Sequence, residues 1–193
     1  MVPNMYETFK VDSKKEEKTE EKKKPHIFRT LDSEQVEIKK VSIDDLEESV
    51  KLLSANGYEV TGKEIEYILK DGLSFGAYVG RILVGLGLSW KTCFDPKKII
   101  MVDGQPNAIY LEDMVISLAY EGAGIRGMIL HAREQEALRI GLLYSIAYIS
   151  EDLPQEGLED YITERGKKMS KLYMLEKYQF YETKHGMLAV KVF

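Results

Sequence analysis

Residues 110–130 read YLEDMVISLAYEGAGIRGMIL, an apolar strand running into a glycine-rich turn that opens directly onto an amphipathic helix. Backbone N–H groups at a helix start lack intrahelical acceptors and lie at the positive end of the macrodipole, so this arrangement builds a cradle for a phosphate or pyrophosphate. Gly122 and Gly124 let the backbone approach such a ligand closely. From Ile125 onward, apolar Met128, Ile129, Ala132, Ala137 and Leu138 recur at roughly helical spacing, with His131, Arg133, Glu134, Gln135 and Glu136 between them. Gly141 is a natural helix stop.

Ahead of the cradle, VEIKKVSI at 36–43 alternates as a first strand. Ser42 with Asp45 forms a capping box for a helix through Leu46, Val50 and Leu53, ended by Asn56-Gly57. A second box, Thr61 with Glu64, opens a shorter helix carrying Ile65, Ile68 and Leu69, closed by Asp71-Gly72. SFGAYVG (74–80) and ILVGLGLSW (82–90), separated by Arg81, read as an antiparallel hairpin. Asp95-Pro96 and Asp103-Gly104-Gln105-Pro106 mark an irregular connection to the strand before the cradle.

Behind the cradle helix, GLLYSIAYIS (141–150) reads as a buried strand, making a parallel pair with a helical crossover. Residues 155–178 read as helical with a break near Gly166, and the chain ends as two strands turning near His185-Gly186. The expected order is β-α-α-β-β-β-α-β-α-β-β. That is an α/β (α+β) chain with a single mixed, mostly antiparallel sheet flanked by helices.

A length of 193 residues with 44% apolar content suits one domain. Cys93 is the single cysteine, which leaves no internal disulfide, and without CxxC or a close His pair no metal site is expected. A reducing, cytoplasmic setting fits this usage. No stretch approaches the roughly 20 apolar residues of a membrane span, and the N-terminus lacks a signal-peptide core, so no membrane association is expected. Residues 1–30 hold eight Lys/Arg against six Asp/Glu, so a net charge of -5 leaves about -7 on the rest. An acidic body argues against nucleic acid as a partner. The run SKKEEKTEEKKK (13–24) has nothing to bury, which makes residues 1–30 a flexible charged arm ahead of a domain at 31–193. A tethering helix or docking tail is the other reading of that arm.

The element order, with the cradle after the fourth strand, resembles the GCN5-related N-acetyltransferase (GNAT) superfamily over roughly residues 36–193. Leu111-Glu112-Asp113 with Tyr120, Gly122, Gly124 and Ile125 resemble the branch of polyamine and glucosamine-phosphate acetyltransferases. Glu176, Lys177 and Phe180 resemble the element after the family's last helix. There are departures. Glu121 and Arg126 stand at the first and last positions of the phosphate loop, Leu175 where many members carry a tyrosine, and Gln179 in place of a glycine.

The resemblance implies an acyl-CoA N-acyltransferase fold and transfer of an acetyl group from acetyl-CoA to a primary amine. Such an amine, with a pKa near 10, must lose a proton before it attacks. The resemblance favours Glu112 as that base, with Asp113 on the opposite face of a regular strand. Tyr173 is the nearest tyrosine to serve as acid toward the departing thiolate. Met114, Val115 and Ile116 would offer backbone groups to the pantetheine arm, and Glu121, Gly122, Ala123, Gly124, Ile125, Arg126 and Gly127 would surround the pyrophosphate.

A carboxylate at 121 repels phosphate, while Arg126 brings charge but bulk. These changes motivate the alternative of a degenerate domain that binds a partner or small ligand without acetyl transfer. Gly122-Ala123-Gly124-Ile125-Arg126-Gly127 also satisfies the dinucleotide fingerprint, with Glu151 as the ribose acid, but only 42 residues follow it. Trp90, Phe75 and Tyr78 are candidates for an acceptor pocket or for core. His131 and His185 read as surface or turn residues. The acceptor is a small-molecule or peptide amine, and the apolar MLAVKVF terminus is compatible with a homodimer.

Overall fold

The computed structural model describes residues 36–149 and 168–193. The charged arm, the Gly166 break and Glu151 lie outside the described residues. The order is β1 (Val36–Lys40), α1 (Leu46–Ala55), α2 (Gly62–Leu69), β2 (Phe75–Val79), β3 (Ile82–Asp95), β4 (Ile100–Val102), β5 (Ala108–Ile116), α3 (Ile125–Arg139), β6 (Tyr144–Ile149), β7 (Gln179–Thr183) and β8 (Gly186–Val192). Residues 168–175 are helical and run into β7.

Both capping boxes form. Ser42 Oγ accepts from Asp44 N–H while Asp45 accepts from Ser42 N–H, and Thr61 and Glu64 do the same at α2. The expected hairpin is present but longer, because β3 continues to Asp95 and turns back at once as β4. The irregular connection expected after Asp95-Pro96 is therefore partly a strand. Asp95 Oδ1 accepts from the N–H groups of Lys97 and Lys98, so a side chain makes the turn that the expected reading treated as a break.

The strands form one sheet in the order β1-β2-β3-β5-β6-β8-β7, with β4 attached to β3. Every pair is antiparallel except β5 with β6. Helices α1 and α2 bury Leu52, Leu53, Ile65, Ile68 and Leu69 with Leu86, Leu88 and Val115. On the other side, Ile125, Ile129, Ala137, Met169 and Tyr173 pack with Ile109, Leu111, Met114 and Ile116. No helix among the described residues is long and apolar enough to cross a membrane.

One irregularity lies in β5. Ile109 and Leu111 share a core cluster with Met114 and Ile116, so the inward-facing positions change from odd to even between 111 and 114. The ladder with β3 shows why: Gly87 pairs with Met114 and Ser89 with Leu111, leaving Glu112 and Asp113 opposite Leu88 alone. That is a β-bulge. The regular alternation expected for Glu112 and Asp113 does not hold, since the bulge absorbs one residue there.

Candidate active site

β5 and β6 pair in parallel only through Ala108↔Tyr144, Ile109↔Ser145 and Tyr110↔Ile146. Beyond Tyr110, β5 runs on to Ile116 without β6 as a partner, so the two strands splay apart. A splay leaves main-chain groups of β5 open to a ligand laid alongside like an additional strand.

The cradle stands at the end of that splay. Residues 118–120 make a single 3-10 turn, and Gly122 (φ 84°) and Gly124 (φ 75°) then hold left-handed conformations that only glycine adopts at low cost. Gly124 is the N-cap of α3 and no side chain caps that end. A Cβ built at Gly122, Gly124 or Gly127 would meet nothing within 4 Å, so the turn has open space on its outer side.

Arg126 reaches from the first turn of α3 into the splay. Its Nη1 donates to the Met114 carbonyl at 2.6 Å and lies 3.9 Å from Met169 Sδ, while Nη2 donates to Glu121 Oε1 at 2.6 Å. Lys168 Nζ is 3.9 Å from the other oxygen of Glu121. Glu121 and Arg126, the two charged positions expected to disturb a phosphate in this turn, are thus partners in one ion pair.

The expected polar positions of α3 need correction. Arg133 and Glu134 are buried and Leu138 is half exposed, the reverse of what their chemistry suggests. Arg133, 0% exposed, donates from Nη1 to Leu88 O at 3.0 Å and Glu112 O at 3.1 Å, the carbonyls on either side of the bulge. A missing ladder bond is replaced by a side chain. The signal existed in the sequence, because Ile125, Ile129, Arg133 and Ala137 form one i, i+4 row facing the sheet. Glu112 itself is half-buried.

Residues 168–175 present Met169 and Tyr173 inward, both 1% exposed, whereas Leu175 is 71% exposed. The tyrosine absent at 175 would therefore stand on the surface of this chain, and Tyr173 lies in the core, 4.7 Å from the Tyr178 ring.

Tyr178 was not among the expected site residues. Its hydroxyl donates to Glu134 Oε1 at 2.6 Å, and because a phenol has one proton, Ser145 must be the donor in their 2.6 Å contact. Burial, and next the Glu134 charge, push the Tyr178 hydroxyl well above its ordinary value, so it stays protonated as a donor. Lys191 Nζ donates to Glu134 Oε2 at 2.7 Å. This chain of contacts joins α3, β6 and β8 at the closed end of the β5–β6 seam.

No family model matches the chain, and none of the curated proteins matches it in sequence. Solved structures do match. The PaiA N-acetyltransferase of Thermoplasma acidophilum, in complex with coenzyme A, superposes with a TM-score of 0.58 at 15% identity, over 82% of this chain and 99% of that one. A GNAT-family acetyltransferase of Listeria monocytogenes gives 0.58 at 16% identity over 82% and 95%. The ribosomal-protein-S18-alanine N-acetyltransferase of Escherichia coli gives 0.57 at 10% over 81% and 93%. The chain has the GNAT fold.

Within this fold the remaining candidates separate. Tyr78 packs against α1 and α2 and Phe75 against the α3 side, so they lie on opposite faces of the sheet and do not form one pocket. Trp90 stacks on Tyr110 at 4.5 Å. His131, Glu134 and Glu176 bring three ligand atoms within 4.8 Å of one another. Lys191 Nζ, 2.7 Å from Glu134 and 4.0 Å from Glu176, already stands where a cation would balance them.

Proposed function

We propose that this chain is an N-acetyltransferase that transfers an acetyl group from acetyl-CoA to a primary amine by direct attack, assisted by a carboxylate base. The observation that supports it best is the splay of β5 from β6 beyond Tyr110, ending at a glycine turn with open space around Gly122, Gly124 and Gly127. The residues present fit a pyrophosphate-bearing co-substrate there, since the N-terminus of a 15-residue helix and two positive-φ glycines surround the space. Bound acetyl-CoA supplies the activated acetyl group.

In this reading the backbone of Met114, Val115 and Ile116 accompanies the arm, and the stretch Glu121, Gly122, Ala123, Gly124, Ile125, Arg126 and Gly127 surrounds the phosphates. Glu112 removes the amine proton directly or through water, and Arg133 holds its carbonyl in the bulge. Asp113 is the second carboxylate of the bulge. Tyr173, facing inward one turn after Met169, is the group assigned to protonate the thiolate. The acidic body favours a cationic acceptor. Among the structural neighbours, one is named an agmatine N-acetyltransferase and another a ribosomal-protein-S18-alanine N-acetyltransferase, so small-molecule and peptide amines both belong on the panel. The reducing, cytoplasmic setting and a homodimer belong to the same proposal.

Calorimetric titration of acetyl-CoA into the full chain, with NAD as control, tests the reading. Micromolar binding of acetyl-CoA alone is expected, followed by turnover of some amine that Glu112→Gln abolishes. Absence of binding to either nucleotide would refute the transferase and return the non-catalytic reading.

A further inference from the structure

Glu121 and Arg126 each look like a defect in a phosphate loop, one repelling the ligand and one crowding it. In space they neutralise each other. We propose that Arg126 is a phosphate ligand that Glu121 holds in reserve, and that a pyrophosphate-bearing molecule such as coenzyme A enters by drawing the guanidinium off Glu121 and Met114. This rests on the acetyltransferase reading of the same site.

The first support is position. Met114 lies four residues past the last β5–β6 pair, so its carbonyl belongs to the splay, and Arg126 Nη1 occupies it at 2.6 Å. An arm laid along β5 competes with Arg126 for that carbonyl. Arg126 is also the second residue of α3, beside glycines around which a Cβ would find empty space, so a phosphate reaching the turn arrives within reach of its fork.

The second support is the guanidinium's own inventory. Its Nη1 is spent on a neutral carbonyl and Nη2 on Glu121, while Nε is buried with no hydrogen-bond partner among the described residues. A phosphate engages such a fork through two parallel N–H donors, so the exchange gives Nε an acceptor it lacks in the latched state. The third support is what happens to Glu121 afterward. Lys168 Nζ, 3.9 Å from its Oε2, remains as a counter-ion, so release does not strand a bare carboxylate.

The test is the sign of two substitutions. Coenzyme A is titrated calorimetrically into full-length wild type, Glu121→Gln, Arg126→Gln and Arg126→Lys, with a thermal melt of each confirming the fold. Glu121→Gln removes a competitor for Arg126 and a charge facing phosphate, and tightens binding about 3–10-fold; Arg126→Gln removes the ligand and weakens it about tenfold or more. Arg126→Lys falls between and carries the test if Arg126→Gln does not fold. Tighter binding by Glu121→Gln together with weaker binding by Arg126→Gln supports the latch most directly.

If both substitutions change affinity in the same direction, the pair merely shapes the loop and the proposal is overturned while the transferase reading stands. If none of the four proteins binds coenzyme A, the transferase reading fails first and takes the latch with it.

Discussion

The two ends of the β5–β6 seam are held by different physics. At the closed end three residue pairs join the strands, and Leu143 N–H and Tyr144 N–H both reach the Asn107 carbonyl. Beneath them Ser145, Tyr178, Glu134 and Lys191 form a continuous chain of short contacts. At the open end no ladder bonds join β5 to β6, and a part-exposed pair, Glu121 with Arg126, stands beside the Met114 carbonyl of β5. A buried network is costly to disrupt because each member left alone is desolvated without a partner. A pair with access to water exchanges one partner for another at small net cost, which suits a place where a ligand enters.

The largest expected effect is therefore at the closed end. Lys191→Met leaves the Glu134 carboxylate, 6% exposed, with Tyr178 as its remaining short contact, and is expected to cost about 3 kcal/mol in urea unfolding. Adding Glu134→Gln removes the buried charge and should recover about half of that loss, since most of the penalty lies in the unpaired ion. A double variant no more stable than the single one would show that packing, not charge, holds this end.

Gly87→Ala comes next, in β3 opposite Met114 of β5. A Cβ there would stand 2.6 Å from Ile129 Cγ2 and 3.0 Å from Arg133 Cζ, so α3 must move away from the bulge that Arg133 supports. Overpacking of this kind costs about 2 kcal/mol. The displacement should also lower any acetyl transfer without changing coenzyme A affinity to the same degree, because the glycine turn lies elsewhere.

Much of this layout was legible in the sequence, for physical reasons that differ by element. The capping boxes at Ser42 and Thr61 depend on side chains three residues apart, and local chemistry of that kind forms without help from the rest of the fold. The glycine turn was readable because positive φ narrows the residue choice so strongly. What escaped depends on partners far along the chain. The bulge at Glu112 and Asp113 exists only as a mismatch with β3, and Arg133 and Glu134 are buried because carbonyls and side chains distant in sequence receive them. Glu121 and Arg126 were each visible as departures, but their pairing, five residues apart across a turn, fits no helical spacing rule.

An ion pair far from the seam supplies a reference with a pH signature. Hydrogen bonds from Arg139, and next from Lys40, hold the Glu136 carboxyl down from 4.5 to about 2. A carboxylate with a lowered folded-state pKa contributes stability that is fully present above about pH 4.5 and is lost as pH falls toward 2. The stability difference between wild type and Glu136→Gln should therefore be constant from pH 5 to 8 and shrink below 4. A difference that persists at pH 2.5 would mean the side chain acts through packing.

The smallest effect on stability is expected at the open end, and that is the point of the comparison. Arg126→Gln removes the donor to Met114 O and one of the two cations near Glu121 among the described residues, yet Glu121 keeps Lys168 and both groups retain some access to water. Unfolding should change by about 1 kcal/mol or less. A loss as large as that from Lys191→Met would show that the two ends are alike, with Arg126 built in as a structural member instead of standing ready for exchange. A small loss joined to a large change in coenzyme A affinity would place Arg126 and Arg133 in separate roles, Arg133 holding the bulge at Glu112 and Arg126 guarding the opening beside it.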